Sequence, residues 1–282
     1  MNRKVTIQGY EGSFHQVAAR QFYGKNVEVI CCPTFRDVVK IAADVRQADG
    51  GLMAIENSIA GSILPNYNLL QHSNLQIVGE VYLHINQNLL ANPGVSLEDI
   101  REVHSHPMAL LQCIEFLEKY NWKLIETEDT ALSAKLVHQH HSKHIAAVAS
   151  KLAAELYGLK MLSPNIQTLK NNYTRFLVLQ VPERSDEIAD SNKASVVFQT
   201  DHSKGSLAKV LTRISDDEVN LSKLQSMPIP GSDWKYSFHA DMEFEYIDQF
   251  NNVIENIRPL TIDLKVYGVY KNGKKPFSTK KV

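Results

Sequence analysis

Short β-branched runs alternate with amphipathic stretches through the first half of the chain, the pattern of βα units around a mostly parallel sheet. Residues 5–7 form the first run, and Gly9-Tyr10-Glu11-Gly12-Ser13 turns from it into a helix that ends near Gly24. Residues 27–30 read as a second strand, and Pro33-Thr34 caps a helix whose apolar face carries Val38, Ile41, Ala42 and Val45. Residues 52–55 are a third strand, broken by Glu56-Asn57-Ser58, with a helix around 65–71. Ile77, Val81, Leu83, Ile85 and Leu89 then keep to one face of a long alternating stretch. Its length suits a strand pair that leaves one sheet and enters another.

A second set of units follows. Residues 103–105 read as a strand, Pro107 takes the first helical position, and Leu110, Ile114 and Leu117 mark the stripe of one helix. Residues 123–125 are a strand, Thr130 caps the next helix, and 145–149 is a strand capped by Ser150, whose helix stops at Gly158. Residues 176–181 form a last strand that returns the chain to the first sheet. The expected architecture is a domain over 1–182 with two lobes and a cleft between them: lobe one about 1–77 and 175–182, lobe two about 78–174. The charged stretch 183–193 lacks apolar periodicity and reads as a linker. From 194 to 270 the order is βαββαβ, the ferredoxin-like plan, with Tyr236, Phe238, Ala240, Met242 and Phe244 alternating as a half-buried strand. The tail 271–282 carries five lysines and reads as a solvated end.

Composition narrows the function classes. At 282 residues the chain suits about two domains. Its net charge of −1 supplies no generic site for nucleic acid, and no apolar run reaches the ~18 residues that span a bilayer. The start turns polar after three apolar residues, so no signal peptide is expected. Cys31, Cys32 and Cys113 are an odd set without CxxC spacing, which excludes a disulfide framework and a four-cysteine zinc site. A reduced, cytoplasmic protein is expected.

Small polar residues gather at the expected strand-to-helix turns: Ser13, Asn57 and Ser58, Ser105 and His106, Thr130 and Ser150. In open α/β sheets such turns line the ligand-binding edge, and several helix N-termini facing one cleft would hold a small anion without a metal. Each residue alone is also explained as an N-cap worth ~1 kcal/mol, whereas their repetition in both lobes points to a ligand cleft. Just before the last strand, Arg175 could fork onto a carboxylate, with the Thr174 hydroxyl beside it and Phe176 as an apolar wall. An ordinary loop with one surface arginine is the alternative. HExxH, P-loop and GxSxG motifs are absent, and Gly9-Tyr10-Glu11-Gly12 lacks the third glycine of a dinucleotide site. His138, His140, His141 and His144 read as a polar surface patch beside Lys143 rather than a metal site.

The order of these segments resembles prephenate dehydratase over nearly the whole chain. Gly9-Tyr10-Glu11-Gly12-Ser13-Phe14 resembles the family's GxxGSF opening, and Ile55-Glu56-Asn57-Ser58 followed by Gly61 its IENS motif. Ser105-His106-Pro107 resembles SHPQ, Thr174-Arg175-Phe176 matches TRF, and Gly205-Ser206-Leu207 resembles the GAL motif of an ACT regulatory domain. The resemblance implies an α/β fold: a two-lobed, periplasmic-binding-protein-like catalytic domain with an interlobe cleft, and a ferredoxin-like ACT domain over 194–270. It implies conversion of prephenate to phenylpyruvate, water and carbon dioxide in phenylalanine synthesis, with no cofactor because aromatisation drives the reaction. Thr174 would meet the leaving hydroxyl, and Arg175 would pair with a substrate carboxylate or hold the loop that does. Ser13, Asn57, Ser58, Ser105, His106, Thr130 and Phe176 would complete the substrate shell. L-Phenylalanine would be sensed by Gly205, Ser206, Leu207, Ser226, Met227 and Pro228 in a homodimer or homotetramer. Two motifs depart from the family pattern: Met108 stands where glutamine is usual, and Gln225-Ser226-Met227-Pro228 where Glu-Ser-Arg-Pro is usual. Arogenate dehydration and a non-catalytic amino-acid sensor are the alternatives.

Overall fold

The computed structural model describes residues 3–184, 190–229, 231–232 and 235–274. These form two compact units, Met1–Ser73 with Val81–Phe176, and Asn74–Glu80 with Leu177–Lys274. The chain therefore passes between units inside two strands rather than only at a linker.

The first unit opens with β1 (Lys4–Gln8), α1 (Phe14–Tyr23), β2 (Glu28–Cys32), α2 (Phe35–Ala42), β3 (Gly50–Asn57), β4 (Gly61–Ser62) and α3 (Leu64–Gln71). β5 (Gln76–His84) and β6 (Asn88–Ala91) realise the expected strand pair. Then come β7 (Glu102–Ser105), α4 (Pro107–Gln112), α5 (Ile114–Leu117), β8 (Lys123–Glu126) and α6 (Thr130–Gln139). β9 (Ile145–Ala149), α7 (Lys151–Leu156), β10 (Lys160–Ser163) and β11 (Tyr173–Gln180) complete the series.

One sheet has the order β2-β1-β3-β11-β5, with β4 on β3; the other has the order β10-β6-β9-β7-β8. β1 pairs in parallel with β2 and β3, so the β3 run of Gly50 to Ile55 is buried without interruption, as a sheet covered on both faces requires. In the second sheet β6 and β9 send alternate residues to opposite faces. Leu89, Ala146 and Val148 join a core with Val103, Leu110 and Cys113, while Leu90, Ala147 and Ala149 join one with Ala134, Val137 and Ala153.

Several local expectations need correction. The stripe of Leu110, Ile114 and Leu117 spans two helices, because Cys113 (φ −109°, ψ 9°) leaves the helical region between them. Val45 lies beyond the end of α2 and is 43% exposed. β10 was not expected at all. Thr130 is the first residue of α6 rather than its cap: the Asp129 carboxylate accepts the N–H groups of Ala131 and Leu132 at 2.7 and 3.0 Å. β11 begins at Tyr173, so Thr174 and Arg175 lie in the strand and not in a preceding loop.

The second unit contains β12 (Lys193–Gln199), α8 (Ser206–Asp216), β13 (Asn220–Pro228), β14 (Tyr236–Glu243), α9 (Ile247–Ile257) and β15 (Ile262–Tyr270). The sheet order β13-β14-β12-β15 with antiparallel pairing is the ferredoxin-like arrangement. Ala194, Val196, Phe198, Ala240 and Met242 face α8 and α9 through Val210, Ile214 and Val253. The other face is polar and also buried: Lys193, Ser195, Ser237, His239 and Asp241 are at most 7% exposed. Segment 74–80 covers part of it, with the Ile77 carbonyl against Gly268 and both Glu80 oxygens 3.0 Å from Lys193 Nζ. β14 is thus buried on both faces from His239 to Met242, although Tyr236 at its start is exposed, and Lys193, read as linker, is a core residue. Of that linker, 185–189 lie outside the described residues, as do 275–282 of the lysine-rich tail.

Candidate active site

The first unit holds a cavity of about 290 Å³ with a mixed polar and apolar wall. Six of the sequence candidates line it: Ser13, Asn57, His106, Thr130, Thr174 and Phe176. Three do not. Ser105 is fully buried, and its hydroxyl donates to the Val148 carbonyl at 2.6 Å, tying β7 to β9. Ser58 serves the backbone next to the TRF segment, accepting from Tyr173 N at 2.9 Å and donating to Asn171 O at 3.3 Å. Arg175 follows from strand alternation. With Thr174 and Phe176 turned to the cavity, Arg175 projects from the opposite face, where it is 5% exposed with its guanidinium carbon 6.0 Å from the Tyr82 ring centroid.

The Thr174 hydroxyl is held by a set of amides. Asn57 ends β3 and turns the chain: its Oδ1 accepts the N–H groups of Ile59 and Ala60 at 3.0 and 2.9 Å. Its Nδ2 donates to Thr174 Oγ1 at 3.0 Å, to Tyr173 O at 3.2 Å and to Asn172 Oδ1 at 2.7 Å. Since Thr174 Oγ1 accepts from Asn57, its own proton is free for the cavity. Asn172 in turn donates to Gln112 Oε1 at 3.0 Å, and Gln112 is another cavity residue.

The glycine-rich opening docks one lobe against the other. Tyr10 donates to Glu128 at 2.6 Å, Tyr157 to the Glu11 carbonyl at 2.7 Å and Ser150 to the Gly12 carbonyl at 2.5 Å. Gly12 has φ +88°, and a Cβ there would lie 2.9 Å from the Ala153 Cα. A Cβ on Gly9 (φ +92°) would lie 2.7 Å from Asp129 Oδ2. Both glycines are required by close approach as well as by conformation.

Charge in the cavity differs from the expectation of bare helix ends. Ser13 accepts from Gln16 N at the start of α1, and Asp129 already occupies the start of α6. Burial pushes the Asp129 carboxyl above its ordinary range, opposed by the N–H groups of Leu132 and Ala131. The hydrogen bond to Glu128 raises the Tyr10 phenol. His15, its ring 4.9 Å from that of Phe176 and 5.4 Å from that of Phe35, is lowered by burial to about 3 and stays neutral. His15, Gln112, Glu128 and Asp129 line the cavity and were missed in the sequence. Only Asp129 carried a local signal, as an Asp directly before a helix.

The remaining candidates lie elsewhere. His138, His140, His141 and His144 are exposed, and His144 Nδ1 lies 2.8 Å from the Asp99 carbonyl. Gly205 (φ +81°) precedes α8, Ser206 donates to the Asp201 carbonyl at 2.8 Å, and Leu207 packs on the α8–α9 core. Ser226, Met227 and Pro228 close β13, an edge strand, with Met227 buried and its two neighbours exposed.

The family model described as prephenate dehydratase matches residues 5–184. An Arabidopsis thaliana protein, arogenate dehydratase/prephenate dehydratase 2, is 36% identical over 95% of this chain and 72% of its own length. A solved prephenate dehydratase in complex with L-Phe, from Arthrobacter aurescens, superposes with TM-score 0.84 at 25% identity, covering 95% of this chain and 90% of that one. Another, GqqA, described as a novel type of quorum-quenching acylase, has TM-score 0.87 at 29% identity, covering 98% and 100%.

Proposed function

Because the chain belongs to the prephenate dehydratase family and is an enzyme of that class, we propose that the cavity converts prephenate to phenylpyruvate. The ring carboxylate leaves as carbon dioxide, its bonding electrons enter the ring, and the C4 hydroxyl departs as water with one added proton. Aromatisation supplies the driving force, so this reading calls on no cofactor. The observation that carries it is the Thr174 hydroxyl, which accepts from Asn57 and so keeps its proton for an oxygen in the cavity. Threonine is too weak an acid to surrender that proton outright; it orients the leaving group and strengthens its hydrogen bond as charge develops. Arg175 fits the second of its implied roles, holding β11 through Tyr82 rather than meeting the substrate. The enzyme is expected to work in the cytoplasm.

The test is incubation of the purified chain with prephenate and, separately, arogenate, following phenylpyruvate and phenylalanine. Turnover of arogenate alone would transfer the assignment to the amino substrate, an activity the plant relative's name includes. Turnover of neither would defeat the reading. An acylase reading has weaker support: among the described residues, no cavity serine or threonine is hydrogen-bonded to a histidine nitrogen, so no activated nucleophile is in place.

For regulation, the ferredoxin-like unit is read as an ACT domain that binds L-phenylalanine, as a pair of chains or a tetramer. The L-Phe complex of the Arthrobacter aurescens protein supports this reading, as does the left-handed Gly205, which leaves the backbone open to a ligand.

A further inference from the structure

The direction of the amide chain at Thr174 is set by two atoms that cannot accept. Ile59 N–H and Ala60 N–H meet one end of the Asn57 side chain, so that end is its oxygen and the other is its NH₂. The NH₂ faces Asn172, which must therefore present its own oxygen. The Asn172 NH₂ is left facing Gln112, which must present Oε1. Each amide orientation follows from the one before it. At the far end, Gln112 Nε2 has no hydrogen-bond acceptor among the described residues, and Gln112 lines the cavity together with Thr174.

Asn172 is the centre of this chain. It is fully buried, its carbonyl accepts Ile85 N–H at 2.8 Å, and both ends of its amide are used. It lies behind the cavity wall, bonded to Asn57 and Gln112 of that wall without lining the cavity itself. We propose that Asn172 is a positioning residue that turns one hydrogen-bond donor, Gln112 Nε2–H, toward the cavity, beside the Thr174 Oγ–H that Asn57 aligns. A substrate rich in carboxylate and hydroxyl oxygens needs donors there. With either amide reversed, lone pairs would face lone pairs. The inference rests on the dehydratase reading for its activity assay, but not for its second readout.

The decisive variant is Asn172→Asp, nearly identical in shape. The new carboxylate still accepts from Asn57, so Thr174 keeps its alignment. It can no longer donate to Gln112, which must turn its NH₂ inward and its oxygen to the cavity. We expect kcat/KM to fall at least tenfold with the melting temperature little changed. Combining it with Gln112→Ala should add less than threefold to the larger single loss, since both act through one donor. Losses that multiply, or an Asn172→Asp enzyme within threefold of wild type, would overturn the proposal. If Asn172→Asp does not fold, Gln112→Glu serves: it keeps the acceptor for Asn172 and removes the donor, and near-normal turnover would again overturn it. Independently of turnover, the side-chain NH₂ protons of Asn172 in the ¹⁵N-labelled protein should exchange with solvent far more slowly than those of Gln112. Equal exchange contradicts the assigned direction even if the substrate proves to be another molecule.

Discussion

The polar chain through Asn172 and the polar chain through Lys193 are both withdrawn from water, and they end differently. Lys193 is met by both oxygens of Glu80 at 3.0 Å and lies 3.6 Å from Glu243; beside it Ser195 joins Asp241 and Tyr270 at 2.5 and 2.7 Å. The Lys193 cation meets its carboxylates, and Asp241 its hydroxyl donor, inside the same unit. The chain through Asn172 runs instead from two backbone N–H groups to a cavity, where a hydroxyl proton and an amide are left over. Burial of polar groups is common to both, so burial does not mark a functional site. Directed donors that stop at an empty volume do.

Three substitutions would sharpen or break that contrast. The largest effect belongs to the closed network: Lys193→Met leaves Glu80 buried without its cation and should cost about 3–5 kcal/mol in urea denaturation. A loss below about 1 kcal/mol would mean that the pair is worth no more than a surface one. In the open network, Thr174→Ala should reduce kcat by about 10² or more while KM and the melting temperature change little. A large fall in melting temperature would instead make Thr174 part of the framework. The smallest effect concerns His15, whose pKa of about 3 in the folded chain lies below its ordinary 6.5. The unfolded chain then binds the proton more readily, so stability is complete above pH 6.5 and is lost as pH falls toward 3. The slope should approach about 1.4 kcal/mol per pH unit, and His15→Gln should flatten it in denaturation curves at pH 7, 6 and 5.

Much of this was legible in the chain. The apolar runs of β1, β3 and β9 and the caps Ser13, Thr34 and Ser150 declare themselves within a few residues, because local packing and local hydrogen bonds decide them. What escaped depends on distant partners. Ser237, His239 and Asp241 alternate with apolar residues as a solvent-facing strand would, yet they are buried, and the remote segment 74–80 covers part of that face. Asn171-Asn172 reads as a turn, yet the strand starts at Tyr173, and this places Thr174 and Arg175 on opposite faces. Asp129 and Thr130 are adjacent residues of capping type, and composition alone does not choose between them. Gln112 shows no local signal; it matters because Asn172 reaches it from 60 positions away. The break at Cys113 has neither glycine nor proline to announce it.

The opening loop has a consequence for how such an enzyme can drift or be redesigned. Two of its three ties to the opposite lobe end on the main-chain carbonyls of Glu11 and Gly12, which every amino acid carries. Exchanging the side chain at position 11 therefore leaves those acceptors untouched, while Gly9 and Gly12 are barred from change by the atoms of Asp129 and Ala153. The loop is tolerant of mutation at position 11 and frozen at positions 9 and 12. An engineer who wished to loosen the grip between the lobes would gain nothing by rewriting position 11; the handles are Tyr10 in the loop and Ser150 and Tyr157 on the far side.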